Sequence, residues 1–222
     1  MPNRSPRRRT LVMLSGGLDS TYVLCRLLAE TDDEIVAHHI AMMNVEGRWQ
    51  VEAERVPLIL QAARRAWGRD VFLTRSRVDR RGLDFYGIDM MTVGFEAGLA
   101  AMAWAWRSDG RLPDRWTIGT CTEEGHNEGR FVHVAACCAA NCWPQEPPRF
   151  ELLEPLKTKA EQLAWLSPEI AALTWSCRRP RWSTDAAGKS RWLDCGQCKT
   201  CAQLAAARAA LKAERREEER IA

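Results

Sequence analysis

The sequence predicts an α/β protein, with a parallel sheet covered by helices on both faces and a small helical C-terminal region around four cysteines. Three observations carry that expectation. Residues 11–21 (Leu-Val-Met-Leu-Ser-Gly-Gly-Leu-Asp-Ser-Thr) run an apolar strand straight into a glycine- and hydroxyl-rich turn and a helix start. Up to residue 120, short apolar runs alternate with longer segments of helical period, the pattern of βαβ units. Near the C-terminus, Cys177 is followed by Cys195-Gly-Gln-Cys198-Lys-Thr-Cys201.

Taken in order, residues 11–14 form the first strand and 22–29 have helical spacing. Residues 34–41 read as a buried second strand. Residues 48–67 offer a helical apolar stripe through Val51, Val56, Ile59, Leu60 and Ala63. A short strand at 70–75, an alanine-rich buried helix at 95–106 and a fourth strand at 115–120 follow. From 121 to 148 the pattern lapses, and Gly, Cys and Pro predict a long functional loop. Residues 152–166 start extended and turn helical near Thr158, residues 168–173 form a second short helix, and 202–215 form a C-terminal helix. The mixed-sign run 212–220 is its exposed end. The boundaries expected are a flexible basic tail at 1–9, a nucleotide-binding α/β core at 10–150 and a helical region with a zinc knuckle at 151–222.

Chemistry concentrates at the first turn. A strand, a Gly-Gly turn and a helix N-terminus aim several backbone N–H groups at one concave site, which suits a phosphate. Gly16 and Gly17 allow close approach of the main chain, Ser15, Ser20 and Thr21 add hydroxyl donors, and Asp19 offers a carboxylate for Mg²⁺ or for capping. There is no Gly-Lys-Ser/Thr ending, so the loop is not a Walker A sequence. Ligands of parallel sheets bind beyond the carboxyl ends of the strands. The loop, the segment after His39 and the segment after Gly119 should therefore converge. Of the adjacent His38 and His39, strand alternation lets one face the nucleotide, and His39 is the candidate. Arg48, Glu52 and Glu54 open the following helix as a first-turn polar network.

Composition sets bounds. At 222 residues, with 46% hydrophobic and 27% charged side chains, the chain is long and apolar enough for one globular domain with an appendage. No apolar run is long enough to span a membrane, and the N-terminus, Met-Pro-Asn-Arg-Ser-Pro-Arg-Arg-Arg, lacks an apolar core segment. No membrane association and a cytoplasmic location are expected. The net charge of +3 is too small to signal nucleic-acid binding. Trp104 and Trp106 cannot share one helix face, so one of them belongs at a contact or rim.

Of nine cysteines, four have metal-ligand spacing. Two consecutive C-x₂-C steps place Cys195, Cys198 and Cys201 around a turn, and Cys177 completes a tetrahedron, the closed geometry of structural Zn²⁺. An Fe–S cluster remains an alternative. Cys137, Cys138 and Cys142 read as buried loop thiols, and Cys121 lies just past a strand end.

The Ser15–Thr21 stretch resembles the Ser-Gly-Gly-x-Asp-Ser loop of PP-loop ATP pyrophosphatases, which implies that Ser15, Gly16, Gly17, Leu18, Asp19, Ser20 and Thr21 hold the pyrophosphate portion of ATP. Together with the cysteine quartet and Pro155-Leu-Lys-Thr-Lys-Ala-Glu161, it resembles the 7-cyano-7-deazaguanine synthase (QueC) family over most of the chain. That resemblance implies a Rossmann-like fold of the adenine nucleotide alpha hydrolase type. It implies ATP and Mg²⁺ as cofactors, Zn²⁺ at the quartet, and activation of a 7-deazaguanine carboxylate that ammonia converts to an amide and then a nitrile. Asp19, Ser20 and Lys159 become the catalytic candidates, Lys159 as a phosphate contact. The family's substrate loop is replaced here by Thr120-Cys-Thr-Glu-Glu-Gly-His-Asn-Glu-Gly, whose Glu123, Glu124, His126 and Asn127 are candidates for reading a guanine-like edge. The motif before the central helix also departs, reading Asp89-Met-Met-Thr-Val-Gly-Phe-Glu. Such divergence fits a paralogue in a modification or antiphage operon, with a homodimer or an operon-encoded protein partner left open. Another PP-loop enzyme such as a tRNA thiolase, or a non-catalytic nucleotide- or partner-binding protein, are the rival readings.

Overall fold

The computed structural model describes residues 7–83, 89–124 and 128–221. Five strands, β1 (Arg9–Met13), β2 (Glu34–Met43), β3 (Phe72–Asp79), β4 (Arg115–Ile118) and β5 (Arg149–Phe150), form one sheet in the order β3-β2-β1-β4-β5. Every pairing is parallel. β1 and most of β2 are buried on both faces, which is why they read as continuous apolar runs. β3 is an edge strand that alternates exposed and half-buried positions, and its exposed Arg75 and Arg77 discourage edge-to-edge pairing.

From β1 the chain passes through α1 (Leu18–Glu30), β2 and α2 (Trp49–Trp67) to β3 at one edge. It then returns through α3 (Asp89–Arg107) to β4 on the other side of β1. The order reverses at β1, so a crevice opens outside the carboxyl ends of β1 and β4, where open α/β sheets bind ligands.

Each face has its own core. On one, Val12, Leu14, Leu24, Leu27, Val56 and Ile59 pack with Ile170, beneath α1, α2, α5 (Lys159–Trp165) and α6 (Pro168–Leu173). Leu204 of α7 (Lys199–Ile221) joins this core. On the other, Leu11, Met13, Val36, Ala97, Ala101 and Trp116 pack with Val134 and Cys138. Trp104 lies edge-on to Phe72 and Trp106 is exposed, so Trp106 is the rim residue. No helix among the described residues is long and apolar enough to cross a membrane.

Two segments differ from the sequence expectation. The stretch expected as a loop from 121 to 148 contains a 3₁₀ turn (Thr122–Glu124) and a full helix, α4 (Glu128–Cys142). Phe131, Val134, Cys138 and Cys142 fall at helical spacing and pack into the second core. Cys137, Cys138 and Cys142 are thus helix residues and not loop thiols. The second segment, 178–194, carries an antiparallel hairpin of β6 (Arg181–Thr184) and β7 (Ser190–Leu193).

α4 lies against α3 at backbone distance. A Cβ on Gly94 would stand 2.3 Å from the Val134 carbonyl oxygen, and one on Gly98 would stand 2.4 Å from that of Cys138. Both glycines are therefore required by contact. Gly98→Ala should force the helices apart and lower stability by about 1–3 kcal/mol, the ordinary cost of overpacking. The denaturant midpoint would fall with metal content unchanged; an unshifted midpoint would contradict the contact.

Candidate active site and metal centre

The turn after β1 is built from glycines and serines for geometric reasons. Gly16 has φ +84°, a region that side chains resist. Gly17 is the N-cap of α1 and makes no side-chain cap bond. Serine hydroxyls serve the amides instead: Gly17 N donates to Ser15 Oγ (3.2 Å), Leu18 N to Ser176 Oγ (3.1 Å) and Ser15 N to Ser20 Oγ (3.2 Å). A helix N-terminus ringed by rotatable hydroxyls is a ready anion site. The end of β4 presses on it. A Cβ on Gly119 would lie 2.1 Å from Ser20 N and 2.3 Å from the Asp19 carbonyl carbon, so only glycine lets the two backbones meet.

Asp19 and Lys159, 140 positions apart, form the site's central ion pair. Lys159 Nζ donates to both Asp19 carboxylate oxygens, at 2.9 and 2.8 Å, and the lysine side chain is fully buried. A capping box between Thr158 and Glu161 fixes the start of α5. Burial works against the Lys159 ammonium, but Asp19 overrides it and holds the pKa above the ordinary lysine value. Ligand atoms of Asp19, Cys121 and Glu124 lie within 4.8 Å of one another. Burial, with Asp19 beside it, pushes the Cys121 thiol up to about 12, so it is a protonated thiol and not a thiolate nucleophile. Glu124 is raised for the same reasons.

The loop opens into a cavity of about 190 Å³. Its polar lining comes from two groups, Ser15, Asp19, Ser20 and Glu124 near the loop and the ion-paired Arg48, Glu52 and Asp89. Met13, Ile40, Met42, Val93 and Ile118 make the walls apolar. Gly16, Gly17, Leu18 and Thr21 complete the loop behind this lining. His39 does not line the cavity: it is buried, and its Nδ1 donates to the Leu14 carbonyl at 3.0 Å. The parity is reversed from the expectation, because the β1–β2 register turns His38 to the cavity side. His38 lies 2.8 Å from Thr74 Oγ1 and 3.0 Å from Ser76 Oγ, and burial lowers its pKa to about 4. Glu123 is also elsewhere, accepting from the Lys159 backbone N–H at 2.8 Å. His126 and Asn127 lie outside the described residues.

Arg48 joins Glu46 (3.0 Å), Glu52 (3.4 Å) and Asp89 (2.8 Å). Burial raises Glu52 to about 7 against the pull of Arg48. Because its folded pKa lies above the unfolded value, ionising Glu52 weakens the fold as pH rises from about 4.5 through 7. Glu52→Gln should match the parent at pH 4 and exceed its stability by about 1–3 kcal/mol at pH 8. Parallel stability curves across that range would contradict the assignment.

The cysteine quartet is assembled as its spacing implied. All four Sγ atoms of Cys177, Cys195, Cys198 and Cys201 lie within 4.8 Å of one another. Cys195–Cys201 is 3.9 Å and Cys198–Cys201 is 3.4 Å, close to the roughly 3.8 Å edge of a tetrahedron with zinc–sulfur bonds near 2.3 Å. Gly196 (φ +72°) makes the turn. Backbone amides point at sulfur: Cys195 N at Cys177 Sγ (3.2 Å), and Gln197 N and Cys198 N at Cys195 Sγ (3.5 and 3.3 Å). The Gln197 amide leads the effects that bring Cys195 down to about 6, favouring the thiolate a metal binds. Four such donors fit a metal ion and are compatible with zinc.

Sequence reasoning missed how this centre joins the loop. Trp175 N donates to the Gly16 carbonyl (2.8 Å), Ser176 Oγ accepts from Leu18 N, and Cys177 is the first ligand. Next, Arg178 donates to Glu46 (2.7 Å) and Asp89 (2.9 Å) at the cavity. The position of Ser176, immediately before a ligand cysteine, was the only available signal. Cys198→Ser should lower metal content and melting temperature, and should speed hydrogen exchange at the Leu18 amide by tenfold or more. Unchanged Leu18 exchange in a metal-depleted variant would uncouple the two sites.

No family model matches the chain, and no curated protein is significantly similar to it.

Proposed function

We propose that this chain is an AMP-forming enzyme of the PP-loop ATP pyrophosphatase type, on a Rossmann-like fold. The observation that carries the reading is the Ser15–Thr21 turn at the β1–α1 corner. There Asp19 is locked to a fully buried Lys159 and faces a cavity at the sheet's switch point. The strand order and the cysteine quartet agree with the same resemblance.

On this reading the amides and hydroxyls of the turn hold the phosphates of ATP, and Lys159, donating to both Asp19 oxygens, fixes that carboxylate in place. The oxygens of Asp19 and Glu124 suit Mg²⁺, a hard cation that would neutralise departing pyrophosphate, whereas the protonated Cys121 does not. A substrate carboxylate oxygen attacks the α-phosphorus and expels pyrophosphate. Ammonia then adds to the acyl carbon, AMP and one proton leave, and an amide remains. The amide oxygen then attacks the α-phosphorus of a second ATP and expels pyrophosphate, and loss of AMP and of both N–H protons gives the nitrile. No protein nucleophile is needed, so catalysis rests on positioning and charge stabilisation. By the family resemblance the acceptor is a 7-deazaguanine carboxylate; a cavity with apolar walls and a few polar lining groups is consistent with a heterocycle.

The test is AMP and pyrophosphate release with a panel of carboxylates, 7-carboxy-7-deazaguanine among them. Asp19→Asn keeps a hydrogen-bond partner for Lys159 and should cut AMP formation at least 100-fold with metal content unchanged. Full turnover by that variant, or no ATP uptake by calorimetry with and without Mg²⁺, would remove the reading.

A further inference from the structure

The outer face of α3 and α4 carries almost no charge. Residues 90–106 hold one charged side chain, the buried Glu96, and residues 131–145 hold no Asp, Glu, Lys or Arg. On α3, Phe95 and Leu99 are nearly half-exposed and Trp106 is 91% exposed, at spacings that set all three on one stripe. On α4, the exposed Val132 and Ala136 form a second stripe, continued by Trp143, 82% exposed, one residue past the helix end.

The close contacts run from Gly94 to Val134 and from Gly98 to Cys138, so the two helices lie parallel and at short range. Their stripes therefore merge into one surface, with both indoles at its C-terminal end. A helix facing water ordinarily carries charge on that side. The outer side of α2, across the sheet, does so with Glu54, Arg64 and Arg65. The two indoles of the α3–α4 face alone leave on the order of 400 Å² in water. With Phe95, Leu99 and Val132 the apolar patch reaches about 700 Å², more than a lone monomer ordinarily exposes.

We propose that this face joins two copies of the chain about a two-fold axis. Counted on both copies, the patch buries about 1,400 Å², within the range of a standard stable interface. Its lack of charge and its aromatic content are those of an interface core, and its partner must be equally uncharged. This face supplies that complement itself, because its bulk is graded. Both indoles stand at one end, Leu99 and Ala136 in the middle, and Phe95 and Val132 at the other end. A two-fold axis across the helices reverses their direction. The indole end of each copy then covers the Phe95–Val132 end of the other, and Leu99 and Ala136 lie beside the axis, near their own counterparts. A lipid surface fits less well, because helices that lie in a membrane interface flank their apolar face with Lys and Arg, which these two stretches lack. None of this depends on ATP chemistry.

The test is sedimentation equilibrium of the zinc-loaded full chain at micromolar concentration. The parent should sediment at twice the mass of one chain. Leu99→Arg and Ala136→Arg are at exposed positions that line neither the cavity nor the metal centre. Each sets like charges against one another across the axis and should weaken association roughly 100-fold or more, with circular dichroism and metal content unchanged. Mixing Leu99→Arg with Leu99→Glu chains should restore the dimer, because opposite charges then meet; contact with any other partner gains nothing from that mixture. A monomeric parent, a dimer unmoved by either arginine, or a mixture that stays monomeric would overturn the proposal. So would a monomeric parent that pellets with phosphatidylcholine vesicles while Leu99→Arg does not, which would assign the face to lipid.

Discussion

The main-chain bond from Trp175 to the Gly16 carbonyl is the joint between the two halves of the site. A turn containing a left-handed Gly16 is entropically costly to order, and the bonds among its own serines are joined by two from the segment that leads to Cys177. Once Cys177 is fixed in a metal tetrahedron, Trp175 and Ser176 are fixed as well, and the first amides of α1 are aligned. Structural zinc contributes on the order of 10 kcal/mol to folding small metal domains. A fraction of that would suffice to pre-organise a loop. The segment that carries the first quartet cysteine thus buttresses the N-terminal turn, although more than 150 residues of chain separate them.

The Asp19–Lys159 pair is not explained by stability. Taking an ammonium wholly out of water is expensive, and a well-packed apolar pair of similar volume is often as stable. Removing one partner costs about 3–5 kcal/mol because the other charge is then stranded. A pair that is costly to build and harder to break, placed at a helix N-terminus and facing a cavity, is what a site for charged chemistry retains.

Local signals made much of this legible. β1, its turn, α1, β2, α2 and β4 follow from apolar runs and punctuation within a dozen residues. The quartet follows from thiolate spacing alone. What escaped depends on pairs of segments. α4 is a run of small residues whose helicity is secured by close packing on Gly94 and Gly98, a property of two helices and not of one sequence. Alternation told that only one of His38 and His39 could face the ligand. The register Met13↔His38, set by the sheet, chose His38. Glu123 looked like a recognition group because its partner, the Lys159 amide, is 36 positions away. The 178–194 hairpin is too exposed to leave an apolar period at all.

The cavity's second polar region is tied to the same joint. Asp89 is shared by Arg48 and Arg178, and Arg48 also reaches Glu46 and Glu52. Burial raises the Glu52 carboxyl, while Arg48 and, more weakly, Arg178 oppose that rise. Arg178 adjoins the ligand Cys177, so a disordered knuckle would carry its guanidinium away from Asp89 and Glu46. Glu52 would then lose one of the two positive charges that favour its ionised form, and the Asp89 carboxylate would bear on it less compensated. The residues beside Cys177 therefore touch both polar regions of the cavity, the loop through Ser176 by hydrogen bonding and Glu52 through Arg178 by charge.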